Sequence, residues 1–314
     1  MVIQYLLKFS FFRSLKEIHN RIYTLGMYWT EYRRAWLKRL STVKEGDRLL
    51  DAGCGDAWVK NEFARYNEPI DYYGIDLAVG DENLSYKVTA LADLHSLPFK
   101  DSSFDKVISN SVLEHVENPT EVFSEMVRVT RPGGRIFLSV PFAFALHQRP
   151  YDYHRFTRYI LERYAHRNKL KIISLWNMGG FFTVLRYIFF NYTLLSLNDH
   201  PLWVGPFKII NFVTKLFDKT IGAPIVFLLD FLDRNKYLTL GYFVVYQKDG
   251  SLSGDLPEDP FRCPVCHQDS AEFEKSEIKF SCNSCHHDFP VKDKVPNLTL
   301  SDSFEPITEK ISKD

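Results

Sequence analysis

The chain has 314 residues, 45% of them hydrophobic, with 39 Lys/Arg balanced by 39 Asp/Glu. That exceeds one typical domain and supplies apolar residues for a substantial core, which excludes a disordered or fibrous protein. Zero net charge excludes a global electrostatic attraction to nucleic acid.

In chain order, residues 1–45 are aromatic and basic. Through residue 44 they carry Lys8, Arg13, Lys16, Arg21, Arg33, Arg34, Lys38, Arg39 and Lys44 against Glu17 and Glu31. Lys8 and Arg13 interrupt any apolar run, so no secretory signal is expected and the chain reads as cytoplasmic. The segment reads as a helical cap over a ligand cleft. Its alternative is peripheral attachment to the inner face of a membrane.

The first motif is Leu49-Leu50-Asp51-Ala52-Gly53-Cys54-Gly55-Asp56-Ala57-Trp58, an apolar strand entering a glycine loop. Without a Cβ, Gly53 and Gly55 let the backbone approach a nucleoside, and the following helix presents unpaired N–H groups. Asp51, at the strand end, can organise the loop. A dinucleotide loop would carry glycine where Trp58 stands, and the indole fills the space of a pyrophosphate. That departure argues against NAD, and the ligand expected of this glycine loop is S-adenosylmethionine.

Asp76, followed by Leu77, ends the next strand, Asp71–Asp76, 25 residues after Asp51, where a carboxylate can accept two ribose hydroxyls. After a third strand, the Asp93 side chain and the Leu94 amide are placed to read an adenine edge. Three acidic groups at consecutive strand ends make one crevice. A fourth strand, Phe104–Asn110, leads to Leu113-Glu114-His115, and Arg131-Pro132-Gly133-Gly134 precedes a fifth, Arg135–Val140.

From Arg48 to about Tyr159 these features resemble the class I S-adenosylmethionine-dependent methyltransferases of the type 11 group. The resemblance rests on Asp51-Ala52-Gly53-Cys54-Gly55, Asp76, Ala92-Asp93, Leu97-Pro98-Phe99, Ser103–Ser109, Leu113-Glu114-His115 and Arg131–Gly134. It departs at Ala57, where the family usually has a third glycine, although alanine is still small enough for close helix packing. The resemblance implies cofactor contacts from Asp51, Gly53, Cys54, Gly55, Asp76, Leu77, Asp93, Leu94 and Asn110.

Beyond strand five lies a loop dense in functional groups, His147-Gln148-Arg149-Pro150-Tyr151-Asp152-Tyr153-His154-Arg155-Phe156-Thr157. It resembles a signature of bacterial type 11 methyltransferases associated with surface-glycan pathways. A hydroxyl acceptor needs its proton removed, and His147 is the first candidate base because imidazole titrates near pH ~6.5. His115 is the second, with the alternative that it only holds its loop. Tyr153 and Asp152 are candidates for orienting the acceptor, while Asp152 and Arg155, three apart, could instead pair as a brace. Thr157 is placed to N-cap the next helix.

Residues 179–238 form an apolar insertion, interrupted too often by charge to span a membrane. Phe207, Ile210, Val213 and Phe217 share one helical face. That face meets the protein's own core, a homodimer partner, or a lipid surface. A last strand, Thr239–Tyr246, precedes a linker over 249–260.

Cys263-Pro264-Val265-Cys266 and Cys282-Asn283-Ser284-Cys285 are separated by 15 residues, 267–281. Two such knuckles joined by a β-hairpin close a tetrahedron around a structural zinc ion. Two disulfides are the other reading. With Phe289–Leu298, the stretch 263–300 resembles the small zinc-ribbon activator of tRNA and translation-factor methyltransferases, which implies an activator fused in cis. The polar tail 301–314 is expected to be disordered.

The expected fold is α/β: a Rossmann-like, doubly wound, mostly parallel seven-stranded sheet over 46–248, a helical insertion, and a zinc ribbon over 261–300. The expected reaction is methyl transfer from S-adenosylmethionine to an oxygen of a sugar, glycan or lipid-linked small molecule. One alternative is a methyltransferase of tRNA or a translation protein, against which stands the lack of a basic, aromatic-studded stripe beyond the N-terminus. Another is a non-catalytic S-adenosylmethionine-binding scaffold.

Overall fold

The computed structural model describes residues 42–44, 46–65, 70–77, 88–192, 217–252, 254–268, 273–275, 279–292 and 295–300. The expected N-terminal cap up to residue 41, the amphipathic helix from Phe207 through Val213, and the tail 301–314 lie outside them.

Seven strands form one sheet: β1 Arg48–Ala52, β2 Asp71–Asp76, β3 Ala90–Leu91, β4 Phe104–Asn110, β5 Thr130–Pro141, β6 Leu170–Asn177 and β7 Gly241–Lys248. Their order is β3-β2-β1-β4-β5-β7-β6. β1 runs parallel to β2 and β4, β2 to β3, and β4 to β5. Leu49, Leu50, Val107 and Ile108 are fully buried, as expected where helices cover both faces of a parallel sheet. The winding reverses between β1 and β4, so ligands belong beyond the carboxyl ends of these strands.

The described helices of the sheet unit are α1 Trp58–Arg65, α2 Pro119–Val129 and α3 Arg158–Arg167. In α2, proline opens the first turn and Val122, Phe123, Met126 and Val129 form one buried stripe. Phe123 stacks on Tyr164 of α3 at 4.7 Å and meets the edge of Tyr246 of β7 at 5.2 Å. Such pairs contribute about 0.5–1.5 kcal/mol each beyond their burial. Strand five begins earlier than its apolar run suggests. Phe104 pairs with Thr130 but Lys106 with Arg135, so residues 131–134 bulge out of register. Gly133 sits there at φ +75°, and a Cβ would lie 2.6 Å from the Leu252 backbone nitrogen. Only glycine fits that approach.

The cysteine-bearing stretch forms a second sheet, β8 Phe273–Lys275, β9 Lys279–Cys282, β10 Asp288–Lys292 and β11 Val295–Pro296, ordered β11-β10-β9-β8. The expected hairpin is thus extended by two further strands. Phe261 bridges to Phe99, and its ring packs 5.2 Å from that of Phe99 and 5.7 Å from that of Phe280. Lys100 N–H donates to the Pro260 carbonyl at 2.8 Å, Arg262 N–H to that of Pro98 at 3.0 Å, and Leu298 N–H to that of Leu91 at 2.8 Å. The Arg48 guanidinium donates to the Pro257 carbonyl at 2.6 Å. Residues 257–262 therefore lie against the large sheet.

Internal contacts divide the chain into two compact units, one of 43–140, 148–175 and 243–314, the other of 1–42, 141–147 and 176–242. The first contains the crevice residues and the cysteine sheet. The second contains α4 Phe181–Arg186, continued by a π-helical turn to Tyr192, and α5 Ala223–Leu232, preceded by a π-helical turn from Asp218. Asp230 of α5 caps the start of α4, accepting from the N–H groups of Gly180 at 2.9 Å and Phe182 at 3.0 Å and from the Thr183 hydroxyl. Arg186 and Asp218 form a bidentate pair at 2.6 and 2.8 Å, each side chain 9% exposed. Among the described residues no helix is long and apolar enough to cross a membrane.

Candidate functional site

The glycine loop turns where β1 ends. Gly53 adopts φ +78°, and a Cβ there would lie 2.5 Å from a Val112 methyl, so the loop and the turn after β4 touch. The N–H groups of Gly53 and Cys54 both donate to the Ile75 carbonyl, at 2.9 and 3.0 Å. At Gly55 a Cβ would meet nothing within 4 Å, which leaves this face of the loop clear for a ligand.

Asp76 holds the loop open. Its Oδ2 accepts from Gly55 N–H at 2.8 Å and its Oδ1 from Leu77 N–H at 2.8 Å. A carboxylate offers about four lone-pair directions, and these two bonds fix its plane at the mouth of the loop. Asp51 is 2% exposed and accepts from the Tyr72 hydroxyl at 2.8 Å. Burial pushes its carboxyl up to about 7, opposed by the Tyr72 hydrogen bond and reinforced by the charges of Asp76 and Asp56. Cys54 is buried, and burial with the neighbouring Asp51 and Asp76 holds its thiol protonated. It therefore acts as a small apolar side chain rather than a nucleophile.

Asp93 caps a short 3-10 turn, its Oδ1 accepting from His95 N–H at 2.9 Å and lying 2.8 Å from His95 Nδ1. Leu94, in that turn, is buried. Ala92 N–H donates to the Asp76 carbonyl at 3.0 Å, which keeps the ends of β2 and β3 level. Asn110 closes the row at the end of β4, where its Oδ1 accepts from the Ser139 hydroxyl at 2.6 Å.

The candidate acceptor-side residues fall into two groups. Tyr153 and His154 N–H both donate to the Glu114 carbonyl, at 2.8 and 3.2 Å, and His115 Nδ1 lies 2.8 Å from the Tyr151 carbonyl. The segment 151–154 is thereby fastened to the turn after β4, with Tyr153 45% exposed. Asp152, its side chain 1% exposed, forms a bidentate pair with Arg155 at 2.6 and 2.7 Å. Thr157 takes the N-cap position of α3 but makes no side-chain capping bond. His147 belongs to the other compact unit, where its Nδ1 lies 3.2 Å from the Ala145 carbonyl and its ring meets Phe144 edge-on at 5.2 Å.

Three residues of this region have no role assigned from sequence. Tyr72 holds Asp51, Val112 packs on Gly53, and Glu114 is fully buried with Oε1 3.9 Å from His115 Nε2. The signal for Tyr72 is strand register: Asp51 pairs with Gly74, so Tyr72, Gly74 and Asp76 share its face.

The cysteines Cys263, Cys266, Cys282 and Cys285 come together with their Sγ atoms all within 4.8 Å of one another. Cys263 lies 3.7 Å from Cys285 and Cys266 3.9 Å from Cys282, and none forms a disulfide. A tetrahedron with Zn–S bonds of about 2.3 Å has S···S edges of about 3.8 Å, so the donor set fits zinc. Each knuckle ends on a left-handed histidine, His267 at φ 54° and His286 at φ 59°. Their N–H groups donate to the Cys263 and Cys282 carbonyls at 2.9 and 2.8 Å.

Residues 50–138 match the family model described as a methyltransferase domain. Demethylmenaquinone methyltransferase of Streptomyces avermitilis is 32% identical over 128 residues, covering 39% of this chain and 53% of that protein. Malonyl-[acyl-carrier protein] O-methyltransferase of Erwinia billingiae is 29% identical over 120 residues, covering 36% and 46%. A solved structure, Haemonchus contortus phosphoethanolamine N-methyltransferase 2 with S-adenosyl-L-methionine, aligns over 73% of this chain and 57% of that one, at 19% identity and a TM-score of 0.46. The chain spans about half the length of these curated relatives. The match to a methyltransferase domain thus covers strands β1 to β5, the part of the fold that builds the crevice.

Proposed function

We propose that this chain is an S-adenosylmethionine-dependent methyltransferase whose acceptor is an oxygen of a sugar, glycan or lipid-linked small molecule. The observation that carries the first half is the Asp76 carboxylate bonded to Gly55 and Leu77 at the strand switch point, within the matched stretch. When bound, S-adenosylmethionine supplies an electrophilic methyl on a sulfonium. The chain's residues then do the remaining work. Asp76 orients the ribose, Asp93 and the Leu94 amide face the base, and Asp51 offers a buried carboxylate beside the cationic end. Alignment of acceptor and methyl supplies much of the rate in such displacements.

The relatives are named for a quinone and an acyl-carrier acceptor, so the shared stretch does not select the acceptor. The glycan reading rests on the His147–Thr157 signature. Within it, the Asp152–Arg155 pair braces the loop, and Tyr153 remains exposed to meet an acceptor. His147 is the proposed base. Replacement by alanine is expected to leave cofactor affinity and melting temperature unchanged and to lower turnover about 10²- to 10⁴-fold. A stable, fully active variant would remove His147 from the reaction. The acceptor class is tested by mass spectrometry of metabolites and glycans from a deletion strain, read for loss of one methyl increment.

We also propose that the four cysteines hold one structural zinc. Four thiolates complete the shell, leaving no open position for catalysis. The ribbon's resemblance to a methyltransferase activator bears on how the sheet is stabilised, through pairing beside β3, rather than on what is methylated.

A further inference from the structure

The segment 148–171 of the sheet unit carries seven Lys/Arg against Asp152 and Glu162. Both acids are already paired, Asp152 with Arg155 at 2.6 Å and Glu162 with Arg158 at 3.0 Å. Arg149, Arg163, Arg167, Lys169 and Lys171 are exposed and, among the described residues, their side chains make no hydrogen bond or ion pair. Tyr159, 73% exposed, Arg163, His166 and Arg167 fall at i, i+4, i+7 and i+8 of α3, one face of the helix, opposite the buried Leu161, Tyr164 and Ala165. Lys169 and Lys171 follow where the helix turns into β6. Sequence alone shows no such stripe beyond the N-terminus, because buried residues interrupt it and only the helical turn brings its members together. Arg163 and Arg167, four apart, repel each other, a cost that a bound anion removes.

The composition of the stripe selects its occupant. From Arg163 to Lys171 every exposed residue is Arg, His or Lys, so no apolar group is there to enter a lipid headgroup boundary. Single-stranded nucleic acid is held on aromatic platforms for successive bases, whereas this face has one exposed ring, Tyr159 at its head. A second copy presenting the same face would set like charges together. A linear chain bearing anionic groups fits. The helix starts directly after the loop that carries Tyr153, and its ten residues extend about 15 Å, too far for one sugar unit and within reach of several. We propose that the acceptor is an anionic glycan, a polymer bearing carboxylate or phosphate groups, whose chain lies along α3 while the unit to be methylated sits at Tyr153. The proposal rests on the glycan reading of the acceptor and adds its charge and its length.

The test is fluorescence-anisotropy titration of the full chain against labelled oligomers of matched length: polygalacturonate for carboxylate, phosphorylated dextran for phosphate, neutral dextran, and oligouridylate as the nucleic acid. One of the anionic glycans is expected to bind at least about tenfold more tightly than neutral dextran and than oligouridylate, the tighter of the two naming the anionic group, and added salt should weaken that binding. The triple variant Arg163→Gln/Arg167→Gln/Lys171→Gln, at exposed sites, should lose at least about tenfold with no fall in melting temperature and unchanged S-adenosylmethionine affinity, and Arg163→Lys/Arg167→Lys should retain binding. Absence of binding to both anionic glycans, equal binding of neutral dextran, tightest binding of oligouridylate, or full binding by the glutamine variant overturns the proposal. If the glycan that loses a methyl increment in the deletion strain is neutral, the stripe alone loses its role; if no glycan changes, the glycan reading falls with it.

Discussion

The glycine-loop crevice and the cysteine ribbon belong to one compact unit and are both built on left-handed turns, yet they are held in opposite ways. Around the glycine loop five donors already have protein acceptors: Gly53 and Cys54 on Ile75, Gly55 and Leu77 on Asp76, Tyr72 on Asp51. In the ribbon four thiols converge, with Phe280, Cys282, Phe289, Val295 and Leu298 among its few buried apolar side chains. A ligand of the crevice meets a preformed site. A metal in the ribbon would complete the fold around it.

Zinc should therefore matter most. Elemental analysis is expected to find one zinc per chain, and a chelator or Cys282→Ser should unfold mainly residues 263–298. Such sites supply about 10–16 kcal/mol in isolated zinc-finger peptides near neutral pH. Two disulfides by mass would break the comparison.

The crevice should respond more modestly. Asp76→Asn or Asp51→Ala should weaken S-adenosylmethionine at least tenfold by calorimetry while leaving the fold intact, since charge-assisted hydrogen bonds are worth about 1.5–3 kcal/mol. Unchanged affinity in both variants would remove the site.

The third effect depends on pH. Burial raises the Asp51 carboxyl to about 7 from its ordinary 3.8, so between these values the folded state holds a proton that the unfolded state has lost. The contribution of Asp51 to stability therefore falls as pH rises from about 4 to 7. A cationic ligand favours the ionised form, so cofactor affinity should climb as pH rises through about 7. Asp51→Asn should flatten both curves, in melting and in titration.

The smallest effect lies at Ala57, which the structure places at φ 51° and fully buried. A non-glycine residue there costs roughly 1–2 kcal/mol. Ala57→Gly should raise the melting temperature, whereas strain-free packing would leave it unchanged or lower it.

Ala57 also shows what was legible from sequence. Its small size suits a buried position ahead of a helix, but the backbone sign at that position is set by the turn after Cys54, which composition does not reveal. Asp51, Asp76 and Asp93 were readable because each ends an apolar run, and parallel register places such ends in a row. Tyr72 was not read because its role depends on the pairing of β1 with β2. The spacing of the cysteines sufficed for the knuckles, but not for the pairing of residues 297–298 with Leu91, which brings together segments some two hundred residues apart.

That pairing has a consequence for how the chain is made. β3 is two residues long and borders the large sheet, so its far side presents open backbone groups of the kind that recruit other chains. Asn297 and Leu298 cover that border at Leu91, but a ribosome delivers them after all seven strands. Until then that border lacks, among the described residues, its pairing with Asn297 and Leu298, and chains cut short before the ribbon should aggregate even though their crevice residues are all present.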